Sequence, residues 1–88
     1  MEDIIEALYN VEYEKQHKRC GDYLYVRIFT VYDSFDVDIS NFSNNFEEST
    51  IQIKKNGKYM VIPYEIIEHI ETVTLYLDTA TQTYRPRH

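Results

Sequence analysis

The chain has 88 residues, which suffices for one small domain and excludes two, because at this length only about 60–65% of the unfolded surface is buried on folding. Its residues are 43% hydrophobic and 27% charged, and this balance excludes an intrinsically disordered chain. The net charge of −6 disfavours direct binding of nucleic acid, because the phosphates repel an acidic surface.

Cysteine usage and hydropathy predict the compartment. Cys20 is the one cysteine, so no disulfide can form within the chain, and the first residues are not a basic segment followed by an apolar run. No apolar stretch approaches the roughly 20 residues that a membrane span needs. The sequence therefore predicts a cytoplasmic protein without a membrane segment.

The first segment has the periodicity of an amphipathic helix. Ile4, Leu8 and Val11 fall at positions i, i+4 and i+7, with acidic residues in the first turn and basic residues towards the end. Gly21 is a suitable stop signal. The pattern predicts a helix from Glu2 to about Lys15.

A β-hairpin is predicted next, with strands Tyr23–Tyr32 and Phe35–Phe42 around the turn signal Asp33-Ser34. A two-residue loop sets the register. One face then forms the core side, with Leu24 and Val26 continuing it, and its cross-strand pairs are Tyr32 with Phe35, Thr30 with Val37 and Ile28 with Ile39.

The other face of this hairpin is unusually aromatic for a surface exposed to water. Its predicted pairs are Val31 with Asp36, Phe29 with Asp38 and Tyr25 with Phe42, and Arg27 lies diagonally near Asp38. Two interpretations stay open: this face binds a partner, or the N-terminal helix covers its aromatic residues.

The rest of the chain predicts a loop, a second hairpin and a last strand. Ser43–Ser49 is polar and predicts a loop, and Asn56-Gly57 between Thr50–Lys54 and Tyr59–Pro63 is the strongest short hairpin signal. Pro63 ends its strand, because proline cannot donate a ladder hydrogen bond. The remaining predictions are a helical turn at Tyr64-Glu65-Ile66, a last strand from about Ile67 to Leu77, and a fraying, flexible tail over 79–88.

Four segments in this order of elements are informative, namely Phe35–Ile39, Thr50–Ile53, Asn56-Gly57-Lys58 and Val61–Glu71. Together they resemble the Sm-like small barrels, and the last of them resembles the YolD-like family of Gram-positive bacteria and their phages. It implies an α+β, mainly β fold: an N-terminal helix and a five-stranded, antiparallel, strongly bent barrel in one domain over 1–78. The YolD-like resemblance implies a role in DNA-damage or mobile-element biology, and it supplies no catalytic residue. RNA-binding Sm proteins have a glycine in strand two, which this chain lacks, and Ile62-Pro63 replaces their Arg-Gly or Lys-His pair.

No group of residues in the sequence forms a recognisable catalytic, metal or cofactor site. His17 and Cys20 make half of a metal-binding spacing without further ligands. Glu65, Glu68 and Glu71 would form one acidic row on a helix, but the predicted strand separates them. We therefore expect a non-enzymatic protein that uses no metal and no cofactor.

Two binding functions follow. In the first, a small acidic protein of a phage or mobile element binds another protein and modulates or inhibits it, for example a host enzyme that handles nucleic acid or acts in defence. Its predicted contact residues are Tyr25, Phe29, Asp36, Asp38, Phe42, Glu47 and Glu48. In the second, an Sm-like oligomer binds a nucleotide or short RNA through Arg27, Lys54, Lys55, Lys58 and Tyr59. Unpaired strand edges make a homo-oligomer plausible in either case.

Overall fold

The computed structural model describes residues 2–86, without the side chain of Glu2. Its first element is the helix α1, Glu2–Gln16, as the apolar periodicity predicts. The strands that follow are β1 (Tyr23–Thr30), β2 (Ser34–Asp38), β3 (Phe42–Asn45), β4 (Thr50–Lys55), β5 (Lys58–Pro63), β6 (Ile67–Asp78) and β7 (Thr83–Pro86). Two 3-10 turns separate strands, η1 (Ile39–Asn41) before β3 and η2 (Tyr64–Ile66) before β6.

The strands form two antiparallel sheets, so the predicted α+β, mainly β class is confirmed. The larger sheet has the order β2-β1-β6-β7, and the smaller sheet has the order β3-β4-β5. The chain crosses from the larger sheet to the smaller through η1 and returns through η2. Within the described residues the two sheets do not close into a barrel.

One hydrophobic core joins the helix to both sheets. Leu8 and Val11 of α1 are fully buried, as are Val26 and Ile28 of β1 and Ile51 of β4. Polar contacts also join the helix to the core-facing side of the larger sheet. Asn10 Nδ2 donates to Thr72 Oγ1 at 3.4 Å, and Thr74 Oγ1 donates to Glu14 Oε2 at 3.4 Å. We call this side of the larger sheet its inner face and the opposite side its outer face.

The register of the first hairpin differs from the prediction, although the buried and outward sides of β1 are as predicted. Val26 lies opposite Val37, and Ile28 lies opposite Phe35 instead of Ile39. The shift is even, so the alternation of buried and exposed positions along β1 is preserved. Tyr32, predicted in the core, is 79% exposed, because β1 already ends at Thr30 and Tyr32 lies in the connecting turn.

Three other predictions are wrong. Phe42 is 5% exposed instead of lying on the outer face, because η1 interrupts the predicted second strand and starts β3 with a changed orientation. Residues 43–45, predicted as loop, pair with β4. The predicted tail forms β7 over Thr83–Pro86, which pairs with the end of β6, and residues 87–88 lie outside the described part of the chain.

The second hairpin and the short turn after it are confirmed. Asn56 and Gly57 both adopt positive φ, at 53° and 78°, as a type I′ turn requires. η2 spans Tyr64–Ile66 directly after Pro63, and β6 follows at Ile67 as predicted.

A buried hydroxyl closes the turn between β1 and β2. Thr30 Oγ1 accepts hydrogen bonds from the amides of Tyr32 and Asp33, at 3.1 and 2.9 Å, and contacts the Asp33 carbonyl at 3.1 Å. The Thr30 amide also donates to the Asp33 carbonyl at 2.8 Å. Thr30 therefore ends the strand early and sets the observed register.

We expect Thr30→Val to lower the free energy of unfolding by about 1–3 kcal/mol, because it leaves two turn amides without their acceptor. Urea unfolding measures this change. Thr79→Val is the control, because Thr79 lies in an exposed turn. Its free energy of unfolding should stay within about 0.5 kcal/mol of the wild-type value. Equal stability of the two variants would contradict the role of the Thr30 hydroxyl.

Candidate partner-binding face of the larger sheet

The outer face of the larger sheet is formed by alternate residues of three neighbouring strands. β1 contributes Tyr23, Tyr25, Arg27 and Phe29, which lie opposite Leu75, Val73, Glu71 and His69 of β6. On its other side β1 lies opposite β2, which adds Asp38, Asp36 and Ser34. These side chains are half-buried or exposed, and α1 and the core lie on the inner face. α1 therefore does not cover this surface, and Lys55 of β4 borders a cavity on it beside Arg27 and Phe29.

Arg27 is at the centre of the outer face and connects all three strands. Its Nε donates to Asp36 Oδ1 at 2.9 Å, and one terminal nitrogen lies 3.4 Å from Glu71 Oε1. The other terminal nitrogen donates to the Tyr25 hydroxyl at 3.2 Å. The hydrogen bond and charge of Asp36 raise the pKa of Arg27 above its usual value. These three contacts orient the guanidinium within the chain itself.

Aromatic side chains flank this charged centre at both ends. Tyr23 and Tyr25 meet edge to face with 5.6 Å between ring centroids, and the Tyr25 ring lies 5.7 Å below the Arg27 guanidinium. At the other end the ring centroids of Phe29 and His69 are 5.6 Å apart, and His69 Nε2 lies 3.4 Å from Glu71 Oε2. Aromatic side chains around an oriented arginine are typical of protein-binding surfaces.

The predicted protein-binding residues separate into three groups. Tyr25, Phe29, Asp36 and Asp38 share the outer face, and Asp38 also accepts from the Ser40 amide and hydroxyl at the start of η1. Phe42 is buried in the core and is not part of the outer face. Glu47 and Glu48 lie in the turn beside Phe46, whose ring stacks on Tyr9 of α1, so they belong to the helix side of the molecule.

β6 supplies outer-face residues that sequence reasoning missed. These are Glu71, His69, Val73 and Leu75. The register with β1 brings the first three beside the predicted residues Arg27, Phe29 and Tyr25, and it brings Leu75 beside Tyr23. The alternation in this segment indicates a strand, and it does not indicate which strand is its neighbour. The pairing of β1 with β6 therefore had no signal in the sequence.

The predicted nucleotide-binding residues lie in two sheets, and Lys55 lines an open cavity together with Arg27. Arg27 is on the larger sheet with its guanidinium bound to carboxylates, whereas the other four belong to the β4–β5 hairpin of the smaller sheet. In that hairpin Lys54 Nζ lies 5.6 Å from the Tyr59 ring centroid, and Lys55 Nζ lies 4.9 Å from the Phe35 ring centroid. The hairpin therefore carries a local basic patch, and its Lys55 also borders the cavity beside Arg27.

A buried polar pair lies between the helix side and the smaller sheet. The hydroxyl of buried Tyr64 donates to Asn44 Oδ1, whereas Asn44 Nδ2 is buried without a partner among the described residues. Burial raises the pKa of Tyr64 above its usual value, and this effect exceeds the opposing effect of the Asn44 hydrogen bond. The pair is structural, because the fold encloses it.

Other candidate groups lie apart from the outer face. His17 Nδ1 lies 2.8 Å from the Tyr13 carbonyl at the end of α1, and Cys20 is exposed in the loop after it. In residues 2–86 no three His, Cys, Asp or Glu side chains come together as a metal site. The described helix is too short and too polar to cross a bilayer.

Comparison with known proteins finds no matching family model, no matching curated protein and no matching solved structure.

The double variant Tyr25→Ala/Phe29→Ala tests whether the outer face is free of intramolecular packing. We expect it to lower the free energy of unfolding by less than about 2 kcal/mol, because only cross-strand contacts are lost. Ile28→Ala, on the inner face of the same strand, is the matched control and should cost about 2–5 kcal/mol. A double variant less stable than Ile28→Ala would show that the aromatic residues belong to the core.

Alkaline unfolding tests the burial of Tyr64. Below the unfolded pKa of about 10 both states keep the proton, and above it the unfolded state loses the proton first, so stability falls as pH rises. We expect the free energy of unfolding to decline more steeply above about pH 10 in the wild type than in Tyr64→Phe. Urea unfolding across this range measures the slopes, with Tyr32→Phe as the exposed control. Equal slopes for wild type and Tyr64→Phe would rule out the raised pKa.

Proposed function

We propose that this chain is a non-enzymatic binding protein that contacts another protein through the outer face of its larger sheet. The observation that carries the proposal is the combination of aromatic and aliphatic side chains around a pre-oriented arginine, on a face that α1 leaves uncovered. Side chains that are ordered before binding lose less conformational entropy on association. Tyr25 and Phe29 are the proposed anchors, with Asp36, Asp38 and Glu71 around them.

The charges of this face favour a basic partner. Asp36 and Glu71 contact the Arg27 guanidinium, Asp38 lies on the same face, and the net charge of the chain is −6. An acidic surface attracts a basic one and raises the rate of association. We therefore propose a partner with a basic, partly apolar surface, such as the nucleic-acid channel of a host enzyme, whose activity the bound chain would inhibit. A cytoplasmic location fits such a partner.

The arrangement of strands supports an Sm-like relationship as part of this proposal. β2 and β3 are successive parts of one predicted strand that η1 divides between the two sheets, and η2 occupies the position of the predicted turn before the last strand. A strongly bent strand shared by two sheets is a property of small barrels. On the YolD-like resemblance of Val61–Glu71, we propose that the partner functions in DNA-damage or mobile-element biology of a bacterium.

Nucleotide or short-RNA binding remains the alternative, and one observation favours it. The exposed Tyr59 ring lies beside Lys54 at the edge of a cavity that Phe42 and Gln52 also line. A base could stack on the Tyr59 ring, and Lys54 could contact the phosphate. The net charge opposes it, and so does the engagement of Arg27 with Asp36 and Glu71.

Affinity capture with purified variants tests the proposed function. We expect the wild type to retain a basic, nucleic-acid-handling protein from a bacterial lysate and to lower that protein's affinity for nucleic acid when the two are purified and mixed. Tyr25→Ala/Phe29→Ala should weaken the complex at least about tenfold, because anchor residues contribute most of the binding energy.

The matched control is Tyr9→Ala/Tyr13→Ala, which removes two exposed aromatic residues from α1. It should bind as the wild type does. Equal loss of binding in both double variants would contradict the assignment of the outer face. Tight nucleotide binding that depends on Lys54 and Tyr59, without any captured protein, would replace the proposal by the alternative.

A further inference from the structure

β5 is an edge strand of the smaller sheet, and its middle is apolar and exposed. β4 lies on one side of it, and within residues 2–86 no strand lies on the other side. Tyr59 is 68% exposed, Met60 40% and Val61 60%. An exposed strand edge presents unpaired backbone groups that can extend the sheet with a further strand.

The hairpin register shows which backbone groups face outward. Lys55 and Lys58 flank the two-residue turn, so they exchange both backbone hydrogen bonds, as the closing pair of such a turn does. Bonded pairs then alternate along the ladder, and Met60 and Ile62 direct their N–H and C=O groups towards β4. The Tyr64 amide, which donates to the Ser49 carbonyl at 2.9 Å, continues this alternation. Tyr59 and Val61 therefore direct their N–H and C=O groups to the free edge.

The usual devices that block an edge are missing from the centre of β5. Lys58 and Pro63 stand at its two ends, and neither a bulge nor a charged residue interrupts Tyr59-Met60-Val61. The central part of the edge is therefore open to a new strand.

Opposite charges occupy the two ends of this edge. Lys54, Lys55 and Lys58 cluster at the turn end, whereas Glu65 follows Pro63 at the other end, with Glu48 next to the Ser49 carbonyl that binds the Tyr64 amide. An antiparallel neighbour with the same sequence would place its acidic end beside the basic end, and its basic end beside the acidic end. The edge is thus complementary to itself in charge.

We propose that two copies of this chain associate through antiparallel pairing of their β5 strands about a twofold axis at Met60. In this register Tyr59 lies opposite Val61 of the second copy, and the outward N–H and C=O groups of both residues pair across the axis. The same pair of hydrogen bonds forms between Val61 and Tyr59 of the second copy, as twofold symmetry requires. Each Tyr59–Val61 contact is a favourable aromatic and β-branched cross-strand pair.

The second copy fits this edge better than an unrelated extended peptide for two reasons. The outward groups of Tyr59 and Val61 are spaced symmetrically around Met60, so one register satisfies both copies at once. The same register brings Lys58 of each copy towards the Ile62–Glu65 end of the other, and Glu65 is exposed there. This surface is separate from the outer face of the larger sheet, so the dimer does not depend on the proposed function.

Sedimentation velocity over a concentration series tests the proposal with the full chain. We expect the wild type to shift from one to two copies as concentration rises, and the shift to weaken as salt is added, because the charged ends are screened. Val61→Pro should remove the dimer over the whole series, because it deletes an outward N–H in each copy and leaves the bonds to β4 intact. Ile62→Pro is the matched control, which removes an inward N–H and should destabilise the fold instead.

A charge-swap pair keeps the test decisive should Val61→Pro fail to fold. Lys58→Glu and Glu65→Lys should each weaken self-association at least about tenfold, because each brings like charges near one another at both ends of the paired edge. An equimolar mixture of these two variants should recover the dimer, because both ends of the mixed pair again carry opposite charges. A wild type that stays monomeric at every concentration, or a mixture that dimerises no better than either variant alone, would overturn the proposal. So would a monomer that binds an extended peptide at β5.

Discussion

The burial of one face of β1 is the constraint on which the rest of the structure depends. β1 lies between β2 and β6 in the larger sheet, and Leu24, Val26 and Ile28 point into the core shared with α1 and the smaller sheet. Because successive side chains of a strand point to opposite faces, this burial directs Tyr25, Arg27 and Phe29 outward. The candidate site is therefore a consequence of core formation. Its aromatic residues lie on the outer face because the inner face is already filled.

Two short 3-10 turns decide how the core is enclosed. η1 begins at the Asp38 cap and changes the direction of the chain, so Val37 faces the core from the larger sheet and Phe42 faces it from the smaller sheet. η2 follows Pro63 and returns the chain to the larger sheet, where β6 pairs with β1. These turns leave β5 as an uncovered edge, because the chain leaves the smaller sheet as soon as β5 ends. The same bends that bury the core thus expose the proposed dimer surface.

The outer face shows how local and nonlocal information combine in this fold. The presence of Tyr25, Phe29, Asp36 and Asp38 on one face follows from alternation within a predicted hairpin, and an even register error leaves it unchanged. Phe42 is not on this face, because the three-residue turn η1 interrupts the alternation predicted for the second strand. Glu71 lies on this face because β6 pairs with β1, which is more than forty positions away in the sequence. The periodicity of a single segment does not indicate which distant strand will pair with it.

The sequence by itself determined the helix, the Asn56-Gly57 hairpin, the short turn after Pro63 and the buried side of β1. Each of these depends on interactions between neighbours in the chain, namely helical spacing, positive φ, the missing proline amide and strand alternation. Only the tertiary structure decided that α1 packs on the inner face, that β6 lies beside β1 and that β7 pairs with β6. Those outcomes depend on which distant apolar surfaces fit together, because many pairings satisfy the same local pattern and the shared core selects one.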